Sequence, residues 1–251
     1  MTAPRTPVAE RLLEILSIFD QGHKELTLTA IAQRAELPMA TAHRLVRRLA
    51  EWGALERGDD GAYRIGLRLW EVATLAPRGL GLRQAALPFM EDLYETTHEN
   101  VQLAVLDGSE TLYIELISGR SAVVVRTRVG ARWPLHATGV GLVLLAHSDP
   151  ELQERVCEAP LQRFTDHTIC DSTTLRSVLA DVRRTGAALS ERQITDDAVS
   201  VAAPVRGASG QVVAAVSLVV PYADGNAHTL IPAVRLAGRG ISRALGWNGD
   251  D

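Results

Sequence analysis

Cysteine and lysine are almost missing from this chain of 251 residues: Cys157, Cys170 and Lys24 are all it has of the two. Two cysteines give neither a disulfide framework nor a metal-ligand spacing, so both are expected as unpaired structural thiols. No apolar run reaches the roughly eighteen residues that span a bilayer, and the opening MTAPRTPVAE lacks a signal-peptide core, so a cytoplasmic location is expected. An excess of positive charge is also absent. The 26 Lys and Arg face 30 Asp and Glu, a net of −4, which excludes an indiscriminate nucleic-acid coat. Within residues 1–76, ten basic and ten acidic residues cancel. What remains is ordinary globular material, 46% hydrophobic and 22% charged, long enough for one large domain or two modest ones. No internal repeat or low-complexity stretch interrupts it.

The most informative stretch is LTLTAIAQRAELPMATAHRLVRR, residues 26–48. Leu28, Ile31, Ala32 and Ala35 recur at helical spacing, with Thr27 placed to cap. Leu37-Pro38 breaks the pattern, because proline cannot continue a helix but suits the start of a new one. A second helix from Met39 buries Ala42, Leu45, Val46 and Leu49. Its other face carries Met39, Ala40, His43, Arg44 and Arg47, with Arg48 beside it. A small leading turn followed by arginines on a helix with a buried back suits insertion into a DNA major groove. Two packed amphipathic helices with surface arginines also occur in proteins that never touch nucleic acid. With no domain-wide positive charge, binding would depend on placed charges and on dimerisation.

Other elements fall around this pair. VAERLLEILSIFDQ (8–21) sets Val8, Leu12, Ile15, Leu16 and Phe19 on one helical stripe, a first helix to complete a three-helix core. After Glu51-Trp52-Gly53, where glycine stops the helix, ALERGDDGAYRIG reads as a hairpin turning at Asp60-Gly61. Three helices and a hairpin make a winged helix, with Arg57 and Arg64 on the wing. LRLWEVATLA (67–76) is apolar on more than one face and reads as a linker helix packing against its twin in a dimer. Residues 78–81 mark the boundary. Beyond it come a helix (83–97), strands at 101–108, 111–118 and 122–130, and an apolar helix after Trp133-Pro134. Helices at 150–157 and 172–185 follow, the second capped by Ser172, then strands at 199–206 and 211–219 and a last helix at 226–245. The expected fold class is α+β, an antiparallel sheet with helices before, within and after it.

Taken in order, IAQRAELPMATAHRLVRRL (31–49), YRIGLRLWEVA (63–73), WPLHATGVGLVLLA (133–146) and SVAAPVRGASGQVVAAVSLVVP (200–221) resemble the IclR family of bacterial transcription regulators over nearly the whole chain. The resemblance implies an N-terminal winged helix-turn-helix (1–66), a linker helix and hinge (67–81), and a GAF-like effector-binding and oligomerisation domain (82–251). It implies double-stranded operator DNA and a small organic or aromatic acid as partners, a homodimer or a dimer of dimers, repression or activation according to operator position, no cofactor and no metal. Thr41, His43 and Arg44 are expected at or near base edges, and Arg47, Arg48 and Arg57 at phosphates.

Carried onto this chain, the family's effector cavity would be lined by Thr138, Gly139 and Val140, then Ser190 and Glu191, Ala198 and Ser200, Ser217 and Val219, with Val123 and Val125 on its wall. A helix N-terminus at 136–141 offers unpaired N–H groups, and glycine permits close approach. The chain departs from the family pattern in four places. Ser200 stands where cysteine is common, Val219 where a second serine is, Leu142 where lysine is, and Ser190-Glu191-Arg192 where several acids are. One fewer hydroxyl favours an aromatic or longer aliphatic ligand over a very small polar acid.

Two other classes compete. Ser200, Ser217, His136 and Asp197 are the residue types of a hydrolase acting in that cavity, but no GxSxG elbow is present. His136, His147, His167 and Cys170 lack metal-ligand spacing. A winged helix can also serve as a protein-binding module.

Overall fold

The computed structural model describes residues 7–20, 22–76, 80–118, 123 and 127–249. Two compact units emerge, Met1–Ala76 and Pro77–Asp251. The first runs α1 (Val8–Ser17), β1 (Glu25–Leu26), α2 (Leu28–Arg34), α3 (Met39–Trp52), β2 (Leu55–Arg57), β3 (Tyr63–Ile65) and α4 (Leu67–Ala73). Thr27 caps α2 as expected, its hydroxyl accepting from the Ala30 amide at 3.2 Å. The chain then turns through Glu36 at φ +50°. Pro38, at φ −56°, is the N-cap of α3, and Gly53, at φ +87°, closes it. Ala42, Leu45, Val46 and Leu49 are buried, and the three leucine and valine side chains pack with Ile15, Leu26, Ile31, Leu55 and Tyr63 in one core. A three-stranded antiparallel sheet, ordered β1-β3-β2, completes the winged helix.

Two local expectations are corrected here. α1 ends at Ser17, four residues early, because Asp20 and His23 bond each other's backbones and the Asp20 carboxylate takes the Gly22 amide at 2.7 Å. Such local bonding competes with helix continuation. Val8, expected on the buried stripe, is exposed. The wing turns through Asp60-Gly61 as expected, in a loop that spans residues 58–62. There Gly58 N–H donates to Ala62 at 2.8 Å, the Asp60 carboxylate accepts from Ala62, and Gly61 takes φ +81°.

The second unit runs α5 (Leu80–Thr97), β4 (Asn100–Asp107), β5 (Glu110–Ile117), β6 (Arg132–Pro134), α6 (Gly139–Ala146), α7 (Pro150–Glu158), α8 (Ser172–Thr185), β7 (Ala188–Glu191), β8 (Ala198–Arg206), β9 (Val212–Pro221) and α9 (Ile231–Ala244). Its six strands form one antiparallel sheet ordered β6-β5-β4-β9-β8-β7. Strand alternation gives each face its own core. Val199, Val201, Ala203 and Val205 of β8 pack with Met90 of α5 and with Val234 and Ile241 of α9. On the opposite face, Ala104, Ala202 and Ala215 pack under α6 and α8. Every residue of α6 is buried, as an all-round apolar helix requires.

Of the strand expected at 122–130, residues 122 and 124–126 lie outside the described residues. The described Val123, Thr127 and Arg128 are not in a strand. The short β6 pairs with β5 instead, Thr111 facing Trp133 and donating its hydroxyl to the Trp133 carbonyl at 2.9 Å. The cap of α8 is Asp171, not Ser172; its carboxylate accepts from the Thr174 amide at 2.8 Å. α9 begins at Ile231 rather than 226, after two tight turns at Tyr222–Asp224 and Ala227–Leu230.

Candidate functional site

Two places in the chain are built to hold something. The first is the outward face of α3. Met39, Ala40, His43, Arg44, Arg47 and Arg48 are exposed and Thr41 is half-buried. Burial of the opposite stripe forces this arrangement, since the two faces alternate every three or four residues. Arg47 is steadied by Glu51 one turn on, at 2.7 Å, an exposed pair that contributes only tenths of a kcal/mol. In the wing, the Arg57 guanidinium stacks over the Tyr63 ring at 5.8 Å and Arg64 pairs with Glu56 at 3.4 Å. The leading turn of α3 is thus small and apolar, its next turns cationic, with further cations on the wing.

The second place is a cavity in the other unit, between the sheet and the start of α6. It holds about 510 Å³ of empty space, part of it open to solvent. The sequence leads to Thr138, Gly139, Ser190, Ala198, Ser200 and Val219 of its lining. Thr138 caps α6, its hydroxyl accepting from the Gly141 amide at 3.0 Å. The Gly139 and Val140 amides, in the first turn, have no partner within the helix. Gly139 is glycine for a reason: a Cβ there would come within 2.6 Å of Ser200 Oγ. A Cβ on Gly141 would meet the Leu135 carbonyl at 2.4 Å. The helix therefore starts in contact with β8. Among the described residues the Ser200 hydroxyl makes no hydrogen bond, while Ser190 donates to the Ala137 carbonyl at 3.3 Å.

Other expected residues lie elsewhere. Val140 is buried in the core under α6. Ser217 is fully buried between Gln102 and Ala202 in the sheet register, its hydroxyl without a partner among the described residues. Glu191 is exposed on the edge strand, 3.8 Å from His228. The Val123 carbonyl accepts from the Asn100 amide group at 2.8 Å, and Val125 lies outside the described residues.

Several lining residues escape the sequence reading: Gln102, Tyr113, Thr127, Trp133, Gln193 and Thr195. The Tyr113 phenol is buried beside the hydroxyls of Thr138, Thr127 and Thr111, and burial pushes its pKa up to about 12. Gln193 is fixed by the loop before α8. Its carbonyl accepts from Thr168 Oγ1 at 2.7 Å and its side-chain oxygen from the Ile169 amide at 3.3 Å. Trp133 packs edge-on against Phe164 at 5.5 Å. Among the described residues the lining carries no Asp, Glu, Lys or Arg. It offers hydroxyl and amide groups, an aromatic wall and a helix N-terminus.

The hydrolase residue types do not assemble. His136 is stacked on Phe164 and its Nε2 lies 2.9 Å from the Gln162 carbonyl, so that nitrogen carries the proton. Burial lowers its pKa. No hydrogen bond joins His136, Asp197, Ser200 and Ser217 among the described residues.

A winged helix-turn-helix joined in one chain to an α+β unit with an internal cavity defines a ligand-responsive transcriptional regulator. Comparison with known proteins makes this specific. The IclR helix-turn-helix domain matches residues 8–59, and the C-terminal domain of the bacterial transcriptional regulator IclR matches residues 75–243. The HTH-type transcriptional regulator XynR of Escherichia coli is 32% identical, the match covering 95% of this chain and 96% of that protein. An IclR homologue from Microbacterium hydrocarbonoxydans, solved in complex with 4-hydroxybenzoate, is 39% identical, with a TM-score of 0.90 over 95% of this chain and 99% of that one. A transcriptional regulator structure from Rhodococcus sp. RHA1 is 29% identical, TM-score 0.82, covering 95% and 97%. The chain belongs to the IclR family of bacterial transcriptional regulators. It is a helix-turn-helix DNA-binding regulator with a small-molecule-binding C-terminal domain.

Proposed function

We propose that a small aromatic acid of the hydroxybenzoate class occupies the cavity between the sheet and α6 and sets the protein's affinity for its operator. The observation that carries this reading is the lining itself, which among the described residues has no charged side chain and opens onto the first turn of α6. The Gly139 and Val140 amides and the helix dipole suit a carboxylate. Trp133 and Val219 supply apolar walls for a ring, and Ser200, Gln193 and Gln102 supply partners for a ring hydroxyl. The complex of the Microbacterium hydrocarbonoxydans homologue with 4-hydroxybenzoate supports the same ligand class.

On the DNA side, Met39 and Ala40 permit close approach, Thr41, His43 and Arg44 read bases, and Arg47, Arg48 and Arg57 hold phosphates. The protein acts in the cytoplasm as a binding protein and not an enzyme. Residues 67–81 serve as linker and hinge between a 1–66 DNA head and an 82–251 effector body. Leu67, Trp70 and Leu75 in this segment are 70%, 57% and 80% exposed. Such an apolar surface suits pairing with the same segment of a second copy, as a homodimer or a dimer of dimers.

A thermal-shift series of benzoic acids tests the ligand class. 4-Hydroxybenzoate is expected to raise the melting temperature of the wild-type protein and to raise it less in Ser200→Ala. An equal shift in both proteins would place the ligand elsewhere.

A further inference from the structure

Away from the cavity at α6, a second cleft opens where the end of β8, α9 and the turn after α8 meet. Its walls carry Arg206, Arg235, Arg239, Ser242 and Trp247 over a floor of Gly186 and Pro204, around about 440 Å³ of empty space partly open to solvent. Among the described residues no acidic side chain lines it. α9 sets Arg235, Arg239 and Arg243 four residues apart and contains neither Asp nor Glu. Like charges one turn apart on a helix repel, and the sequence of α9 places no carboxylate between them. In a chain of net charge −4, this concentration of one sign is local.

Arg206 is also held in place. Arg206 donates from Nη1 to the Gly210 carbonyl at 2.8 Å, and its guanidinium lies 5.8 Å from the centre of the Trp247 ring. A guanidinium has five N–H donors, so one such bond leaves most of them for a ligand. Neither Arg206 nor Arg235 pairs with a carboxylate among the described residues. Burial is the chief cause that depresses the proton affinity of His147, and the charges of Arg206 and Arg183 act in the same direction.

We propose that this cleft binds a multiply charged oxyanion of the phosphate-ester class, held by the guanidinium forks of Arg206 and Arg235 with the Trp247 indole against its carbon portion. A phosphoryl group presents three acceptor oxygens to several forks at once and carries close to two charges, whereas one carboxylate satisfies a single fork. The cleft takes Ala203 and Pro204 from the same strand that gives Ala198 and Ser200 to the effector cavity. It is a separate site for a second, chemically different ligand.

Calorimetric titration of the full chain with sodium pyrophosphate, against sodium chloride at matched ionic strength, tests this. Wild-type protein is expected to bind pyrophosphate saturably at one site per chain. Arg235→Gln, a change to an exposed side chain, is expected to weaken binding about tenfold or more while leaving the ligand-free melting temperature unchanged. Arg206→Gln should weaken it as strongly, and Ser200→Ala should leave the isotherm as it was. Heats no different from the chloride control, or wild-type affinity in Arg235→Gln, would overturn the proposal.

Discussion

Gly139 concentrates the logic of the effector cavity in one missing methyl. A Cβ at this position would sit 2.6 Å from Ser200 Oγ and 3.3 Å from the Ala202 Cβ, so α6 would have to move off the sheet. Gly139→Ala is expected to cost about 1–3 kcal/mol of stability, as overpacking does, measured by urea denaturation. Adding Ser200→Ala should recover part of that loss, because it removes the atom in closest conflict; strict additivity of the two changes would show that they do not meet. Glu36 is the opposite case. It holds φ +50° in the turn before α3, a left-handed conformation that costs a side chain roughly 1–2 kcal/mol. Glu36→Gly is therefore expected to stabilise the protein by up to about 1 kcal/mol, part of the relief being offset by glycine's greater freedom when unfolded. His136 and His147 both have pKa values depressed, chiefly by burial. As pH falls through the ordinary histidine range near 6.5, the unfolded chain takes up these protons before the folded one does. Stability is therefore full above that range and declines below it until the folded-state values are passed. In urea titrations at stepped pH, His147→Gln should shallow that decline, and an unchanged slope would count against the assignment.

At the scale of the element, α2 and α3 are where sequence and structure agree most closely. The Thr27 cap, the Pro38 interruption, the 3.6-residue apolar stripe and the Gly53 stop are each local, and local signals survive without knowledge of the fold. Replacing Thr27 with alanine should cost about 1 kcal/mol for the lost cap, read from the denaturation midpoint. Arg44→Ala is expected to lose about 1–3 kcal/mol of discrimination between operator and random DNA if its contact is bidentate to guanine. Equal weakening on both DNAs would demote it to a phosphate contact. The cavity at α6 was legible on its α6 side, along β8 and at single positions of β7 and β9, Ser190 and Val219. Gln102, Tyr113, Trp133 and Gln193 reach it from two other strands, a three-residue strand and a loop. Only the tertiary register brings these together. Ser217 shows the limit from the other direction. Alternation puts it on the correct face, but Gln102 and Ala202 flank it in the register and it lies fully buried outside the lining.

For the whole molecule, the account joins a DNA-reading head to a body that holds a ligand, and such a join has an energetic consequence. A ligand changes DNA affinity only by binding the DNA-competent and DNA-incompetent states unequally, and the coupling is reciprocal. The exposed apolar residues of α4 nominate it as the element through which paired heads are spaced. The most direct test measures binding of the full chain to a fragment of its own promoter by fluorescence anisotropy, across a series of benzoic acids including 4-hydroxybenzoate, with the same acids titrated by calorimetry. The account predicts a preference for the promoter over random DNA, and a change of about 5- to 150-fold in that affinity with any acid that calorimetry shows bound at the Ser200 cavity. An acid that fills the cavity and leaves promoter affinity untouched would contradict it, as would equal binding to both DNAs.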